Sequence, residues 1–124
     1  MTNKPIVLDI GQCDMDHRAI RGLLEELGAT VHRARSLQEA RALMCAHVYS
    51  VVLINRILDE TGEEGIAFVD EVRAAGYPAM LVSNYADAQA EAVTRGALQG
   101  FGKAALRNPQ TAHLLRRCLD EKSA

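Results

Sequence analysis

Short apolar runs alternate with longer amphipathic segments along the whole chain. Residues 5–10, Pro-Ile-Val-Leu-Asp-Ile, form the first run, and Gly11 breaks it. Ile20, Leu23, Leu24 and Leu27 then recur at helical spacing. They predict a helix over 15–27, with Asp14 as its N-cap and Gly28 as its stop. Residues 29–34 predict a second strand, and Ser36 with Glu39 is a capping box opening a helix to about Ala46. The strongest strand is 50–55, where Val51, Val52, Leu53 and Ile54 follow one another. Such a run, without alternation, predicts burial on both faces, as in the middle of a parallel sheet. A loop rich in Asp, Glu and Gly spans 56–64, and Ile66, Val69 and Val72 predict a helix from about Gly65 to Ala75. Residues 78–83 predict a fourth strand, 87–95 an alanine-rich helix, and Gly100-Phe101-Gly102 a short fifth strand. Asn108 before Pro109 marks the start of a last helix, with Ala112, Leu115 and Leu119 as its inner stripe.

Five strands alternating with five helices require right-handed βα crossovers and a parallel sheet covered on both faces. A βα-barrel would need about 250 residues, so 124 residues leave an open, doubly wound α/β sheet in a single domain over 1–124. Such a sheet carries its site outside the carboxyl ends of its strands. That rule selects Gly11-Gln12, Asn55, Ser83-Asn84 and Gly102-Lys103. The expected pocket holds a lysine, a hydroxyl and several amides, and no strand end contributes a carboxylate. Asp9 lies on the same strand face as Gly11, about 6.6 Å deeper. It is expected to be a buried carboxylate in need of a partner.

Composition narrows the function. The chain has 14 basic and 16 acidic residues, a net charge of −2, which offers no basic surplus for nucleic acid or anionic lipid. Aromatic residues are 4% with no Trp, too few for a stacking platform. No run approaches the roughly 18 apolar residues of a membrane span, and no signal-peptide pattern opens the chain. These features predict a cytoplasmic protein. Cys13, Cys45 and Cys118 lack metal-ligand spacing. The four histidines, 17, 32, 47 and 113, are scattered and read as surface or packing residues.

The chain resembles a response-regulator receiver domain over nearly its whole length. The resemblance rests on Leu23-Leu-Glu-Glu-Leu-Gly28, Val51-Val-Leu-Ile-Asn55, Met80-Leu-Val-Ser83 and, most sharply, Gly96-Ala-Leu-Gln-Gly-Phe-Gly-Lys103. It implies a flavodoxin-like sheet of order 2-1-3-4-5. It also implies an Asp after the third strand that accepts a phosphoryl group from a histidine kinase. Two acids after the first strand hold Mg²⁺ with that Asp. A Ser or Thr and a Lys contact the phosphoryl oxygens, and an aromatic on the fifth strand changes rotamer. Ser83, Phe101 and Lys103 match the last three roles. The acceptor position is Asn55, and the acidic pair falls on Gly11 and Gln12. Ala104 stands where the family usually has Pro, and Gly65 comes about two residues late.

An amide nitrogen is no nucleophile, because its lone pair is delocalised. Mg²⁺ prefers hard anionic oxygen, which Gly11, Gln12 and Asn55 do not supply. A degenerate pseudo-receiver is therefore expected, without catalytic residues, cofactor or bound Mg²⁺. Asp14 and Asp16, just past the pair, and Asp59 in the acidic loop could compensate, but read first as helix-start acids and a solvated loop. Lys103 is expected to pair with Asp9, Asp14, Asp16 or Asp59, or to point to water. The expected function is a stand-alone module without an output domain, binding a kinase or effector in two-component signalling. Its contact face is helix four, strand five and helix five, with Gln89, Glu91, Arg95, Arg107, Arg116 and Arg117, which is also where self-association would occur. Two other functions fit the same fold: a working phosphoacceptor in a phosphorelay, and a small-ligand binder. The loop Gly11–Asp16 is poor in the Gly and Ser that a phosphate cradle needs. Cys13 is the one unusual group on the pocket side.

Overall fold

A computed structural model describes residues 4–120. The strands are β1 (Ile6–Ile10), β2 (Thr30–Ala34), β3 (Val51–Asn55), β4 (Ala79–Val82) and β5 (Leu98–Phe101). The helices are α1 (Asp14–Glu26), α2 (Leu37–Ala46), α3 (Phe68–Ala74), α4 (Ala86–Thr94) and α5 (Pro109–Asp120). All four strand pairings are parallel and the order is β2-β1-β3-β4-β5, as the sequence predicts.

The sheet divides two cores. Leu8, Ile10, Val52, Ile54 and Leu81 face α2, α3 and α4, where Ala40, Phe68, Val72 and Ala92 close over them. Val7, Leu53, Met80, Val82 and Phe101 face α1 and α5, against Ile20, Leu24 and Leu115. Every residue of β3 is buried, which accounts for its uninterrupted apolar run.

Several boundaries differ from expectation. The N-cap of α1 is Cys13, whose Sγ accepts from the Asp16 N–H at 3.4 Å, and Asp14 begins the helix. Asp14 is instead drawn outward to Arg33 at 2.8 Å and Arg35 at 3.5 Å on the β2 side. Helix α3 starts at Phe68, three residues after the expected Gly65. Gly65 is pressed so closely on the Asn55 carbonyl that a Cβ would collide with it, and its N–H donates to Arg56 O at 2.7 Å. The chain leaves that contact as a turn before it can wind. Strand β5 begins at Leu98, and its register with β4 shifts between Met80 and Val82. The caps at Ser36 and Asn108 form as expected: Ser36 Oγ accepts from Glu39 N at 3.1 Å, and Asn108 Oδ1 from Gln110 N at 2.9 Å.

Cys45 is exposed on α2, and Cys118 lies on the buried face of α5. At the amino end of the sheet His32 bonds Tyr49 Oη at 2.8 Å and lies 4.6 Å from the His47 ring. Burial and the neighbouring His47 hold the His32 pKa below its ordinary value, and burial pushes the Tyr49 hydroxyl up to about 12. These histidines pack, as expected. His17 has a different role, described below.

Candidate functional site

The carboxyl ends of β3 and β4 and the turn after β5 converge on a cleft of about 350 Å³, while Gly11 and Gln12 at the end of β1 are not among the residues that line it. Asn55, Asp59, Ser83, Asn84 and Lys103 line it, together with Arg56, whose guanidinium lies 4.9 Å from the centre of the Tyr85 ring. The strand-end rule therefore finds the site. Its interior is organised by hydrogen bonds that the sequence does not spell out.

Asn55 ends β3 and is 8% exposed. Its Nδ2 donates to the Gly11 carbonyl at 2.9 Å, and the Asp59 backbone N–H donates to the same oxygen at 2.8 Å. Gly11 has φ +81°, a left-handed conformation that favours glycine, and a side chain there would strike Leu58. Leu58 folds back from the loop after β3 and is 1% exposed, so an apolar side chain covers the end of β1. The loop closes beneath it through Leu58 N to Glu63 O at 2.8 Å and Gly62 N to Leu58 O at 2.9 Å.

Gln12 turns inward and is 3% exposed. Ser83 Oγ accepts from Tyr85 N at 3.1 Å, and Asn84 Oδ1 from Ala104 N at 3.1 Å. Lys103 Nζ meets Asp16 Oδ2 at 2.8 Å, with side chains 34% and 30% exposed. Lysine and aspartate thus pair as expected, and the ammonium holds the Asp16 carboxyl below its usual range. Of the other acids, Asp14 is spent on the arginines of β2. Asp59 is exposed at the rim, and Glu60 reaches Arg35 at 3.4 Å. Among the described residues no group of three or more His, Cys, Asp or Glu is placed to hold a metal ion. Cys13 is committed to capping α1.

Asp9 is fully buried and has the partner it was expected to need: His17 Nδ1 lies 2.6 Å from its Oδ2. Burial raises the Asp9 pKa although His17 opposes the shift. The role of His17 is missed when histidines are read singly. It stands three and seven residues before Ile20 and Leu24, on the buried stripe of α1. A histidine on that stripe above a strand bearing an aspartate is the signal that could have found the pair.

Phe101 does not line the cleft; it is 5% exposed, within the α1–α5 core. Gln89 is corrected from an exposed contact residue to a buried one, 7% exposed. Its Nε2 reaches the carbonyls of Leu81, Ser83 and Phe101 at 2.8, 3.1 and 3.4 Å, and its Oε1 accepts from Gly100 N at 3.1 Å. It fills the register shift between β4 and β5, where Gly100 lies against the Leu81 carbonyl. Arg95 pairs with Asp70 of α3 at 2.8 Å, while Glu91, Arg107, Arg116 and Arg117 remain exposed.

No protein-family model matches the chain, and no curated protein sequence matches it significantly. Solved structures do. The signal receiver domain of a DNA-binding response regulator from Colwellia psychrerythraea is 18% identical, with a TM-score of 0.77 over 94% of this chain and 99% of that one. A response regulator from Thermotoga maritima is 17% identical, with a TM-score of 0.76 over 96% and 100%. A response regulator from Burkholderia pseudomallei, solved with a phosphorylated aspartic acid, calcium ion and citrate, is 17% identical, with a TM-score of 0.73 over 94% and 67%. In its five-stranded parallel sheet and the order of its strands and helices, this chain has the fold of response-regulator receiver domains.

Proposed function

We propose that this chain is a signalling module on the receiver fold that acts by binding a partner protein. It performs no enzymatic step, accepts no phosphoryl group and uses neither Mg²⁺ nor another cofactor. The observation that carries this reading is the bond from Asn55 Nδ2 to the Gly11 carbonyl at 2.9 Å. It joins the two strand ends where an acceptor and a metal would have to work. An amide nitrogen does not attack phosphorus, and a carboxylate in its place would face a carbonyl oxygen.

The residues present do not fit Mg²⁺. The ion demands a near-octahedral set of hard oxygens that includes carboxylate. The Gly11 carbonyl already accepts two hydrogen bonds, Gln12 is neutral, and Leu58 covers the strand end. Asp16 is paired with Lys103, and Asp59 is exposed at the rim of the cleft.

The partner is a histidine kinase or a downstream effector of two-component signalling in the cytoplasm. It meets α4, β5 and α5 through Glu91, Arg107, Arg116 and Arg117, and a second copy of the chain could use the same face. Gln89 supports this by tying α4 to β4 and β5 in one arrangement. The net charge of −2 disfavours nucleic acid, and among the described residues no helix is long and apolar enough to cross a membrane. The test is to incubate the full chain with Mg²⁺ and acetyl phosphate and measure intact mass. No gain is expected. A stoichiometric gain of one phosphoryl unit, stable to acid and labile to base, overturns the proposal.

A further inference from the structure

The cleft at the carboxyl ends of β3 and β4 holds two cations that the proposed function leaves without a task. Arg56 lines it just past Asn55, and Lys103 lines it from the turn after β5. The Arg56 guanidinium lies 4.9 Å from the centre of the Tyr85 ring. An aromatic face steadies a cation without neutralising it, so the charge of Arg56 stays in the cleft. Lys103 gives one bond to Asp16 at 2.8 Å, and an ammonium has three to give. Two neutral side chains add donors. Ser83 Oγ accepts from Tyr85 N and Asn84 Oδ1 from Ala104 N, each at 3.1 Å. Backbone N–H groups thus take up both oxygens. What Ser83 and Asn84 then offer the cleft is a hydroxyl proton and amide hydrogens.

Guanidinium, ammonium, hydroxyl and amide donors around one cleft of about 350 Å³ call for an oxyanion. The charge balance selects its class. Two cations, Arg56 and Lys103, line the cleft with one acid, Asp59, a surplus of one positive charge, and Asp16 is already paired with Lys103. A dianion such as phosphate exceeds that surplus, whereas a carboxylate matches it and fits the fork of Arg56 with two parallel bonds. Part of the wall is apolar: Ile57 and Tyr85 line the cleft and are 36% and 62% exposed. We infer that the cleft is a reversible binding site for a small carboxylate with an apolar body, its carboxylate on Arg56, Lys103 and Ser83 and its body against Ile57 and Tyr85. The volume lies at the lower end of small-ligand sites, which span about 300–1,000 Å³. No bond to the chain forms. The inference rests on the reading that this cleft carries neither a phosphoryl group nor Mg²⁺, since either would occupy the same space.

Benzoate, acetate and inorganic phosphate, each titrated into the full chain at neutral pH without Mg²⁺ and at ionic strength held constant with chloride, test it by amide NMR. Benzoate is expected to give saturable shifts at Asn55–Asp59 and Ser83–Ala86, and acetate and phosphate to bind more weakly. Arg56→Gln is expected to weaken benzoate by about tenfold or more, the scale of one charge-assisted hydrogen bond. Arg21→Gln, on exposed α1 outside the cleft, should leave it unchanged. No saturable benzoate shift, or equal affinity in Arg56→Gln, overturns the site. Phosphate binding as tightly as benzoate overturns the carboxylate class, and acetate doing so overturns the apolar body. The titration itself uses the unaltered chain, so it does not depend on a variant folding. A mass gain with acetyl phosphate overturns the underlying reading, whereas no benzoate shift and no mass gain overturn this inference alone.

Discussion

Asn55 acts through a proton that an aspartate would lack. Its Nδ2 supplies one of two hydrogen bonds to the Gly11 carbonyl, and Asn55→Asp would set a carboxylate against that oxygen. The variant is expected to lose about 1–3 kcal/mol, measured as a lower urea midpoint, and to gain no phosphoryl unit from acetyl phosphate with Mg²⁺. Asp16 gives a pH signature. Lys103 lowers its pKa in the fold from an ordinary value of 3.8. The stability it contributes is present above 3.8 and is lost as pH falls through the lower folded value. Lys103→Met should raise the Asp16 titration, followed by carboxyl-carbon NMR, towards its ordinary value. Asp9 has the opposite sign, because burial raises its pKa. Its contribution is complete below 3.8 and is lost as pH rises through the higher folded value. His17→Ala strips this buried carboxylate of its partner and should cost about 3–5 kcal/mol at neutral pH. The deficit, read from urea midpoints across pH, should shrink towards pH 4 as Asp9 takes up a proton.

Between elements, the decisive contacts are made by side chains that bond to backbone. Gln89 serves three carbonyls and one N–H where β4 and β5 slip register. Gln89→Ala is expected to speed hydrogen exchange at the Gly100 amide and to lower stability by about 1–3 kcal/mol. Exchange at Gly100 no faster than in the unaltered chain would show that the staple is unimportant. An alanine-rich α4 with one glutamine gives no hint of this, because the need for a long amide arises only once the bulge exists. The boundaries of α3 and β5 escape sequence reading for a related reason. Gly65 and Gly100 are fixed by backbone approaching from other strands, while helical periodicity reports only the chain's own faces. The capping signals at Ser36 and Asn108 are legible because a cap is satisfied within one turn.

Across the whole molecule, one sheet covered by two helical layers positions a cleft in which Lys103, the Asn55 amide nitrogen and the Ser83 hydroxyl already have partners within the chain. Lys103 has Asp16, Asn55 has Gly11, and Ser83 has the Tyr85 N–H. A ligand that binds the folded chain and not the unfolded one stabilises it by RT ln(1 + [L]/Kd) and so raises its thermal midpoint. On the proposed reading, about 10 mM Mg²⁺ should leave the midpoint where an ionic-strength-matched monovalent salt leaves it. A rise specific to Mg²⁺ that grows with the logarithm of its concentration would show a site that the side chains described here do not account for.

The sequence by itself determined the alternation of strands and helices, the doubly wound sheet, the burial of β3 and the strand ends at which the cleft opens. Hydrophobic periodicity and turn residues act over a few positions and are written in order along the chain. It also determined that Asn55, Gly11 and Gln12 stand at those ends without charge, since residue type requires no geometry. Only the tertiary structure decided which acid takes Lys103, that Asp9 is matched by His17, that Leu58 covers Gly11 and that Gln89 is buried. Each joins residues brought together by crossovers and loop closure. Hydrogen bonds and ion pairs depend on distances of a few tenths of an ångström, which no linear pattern encodes.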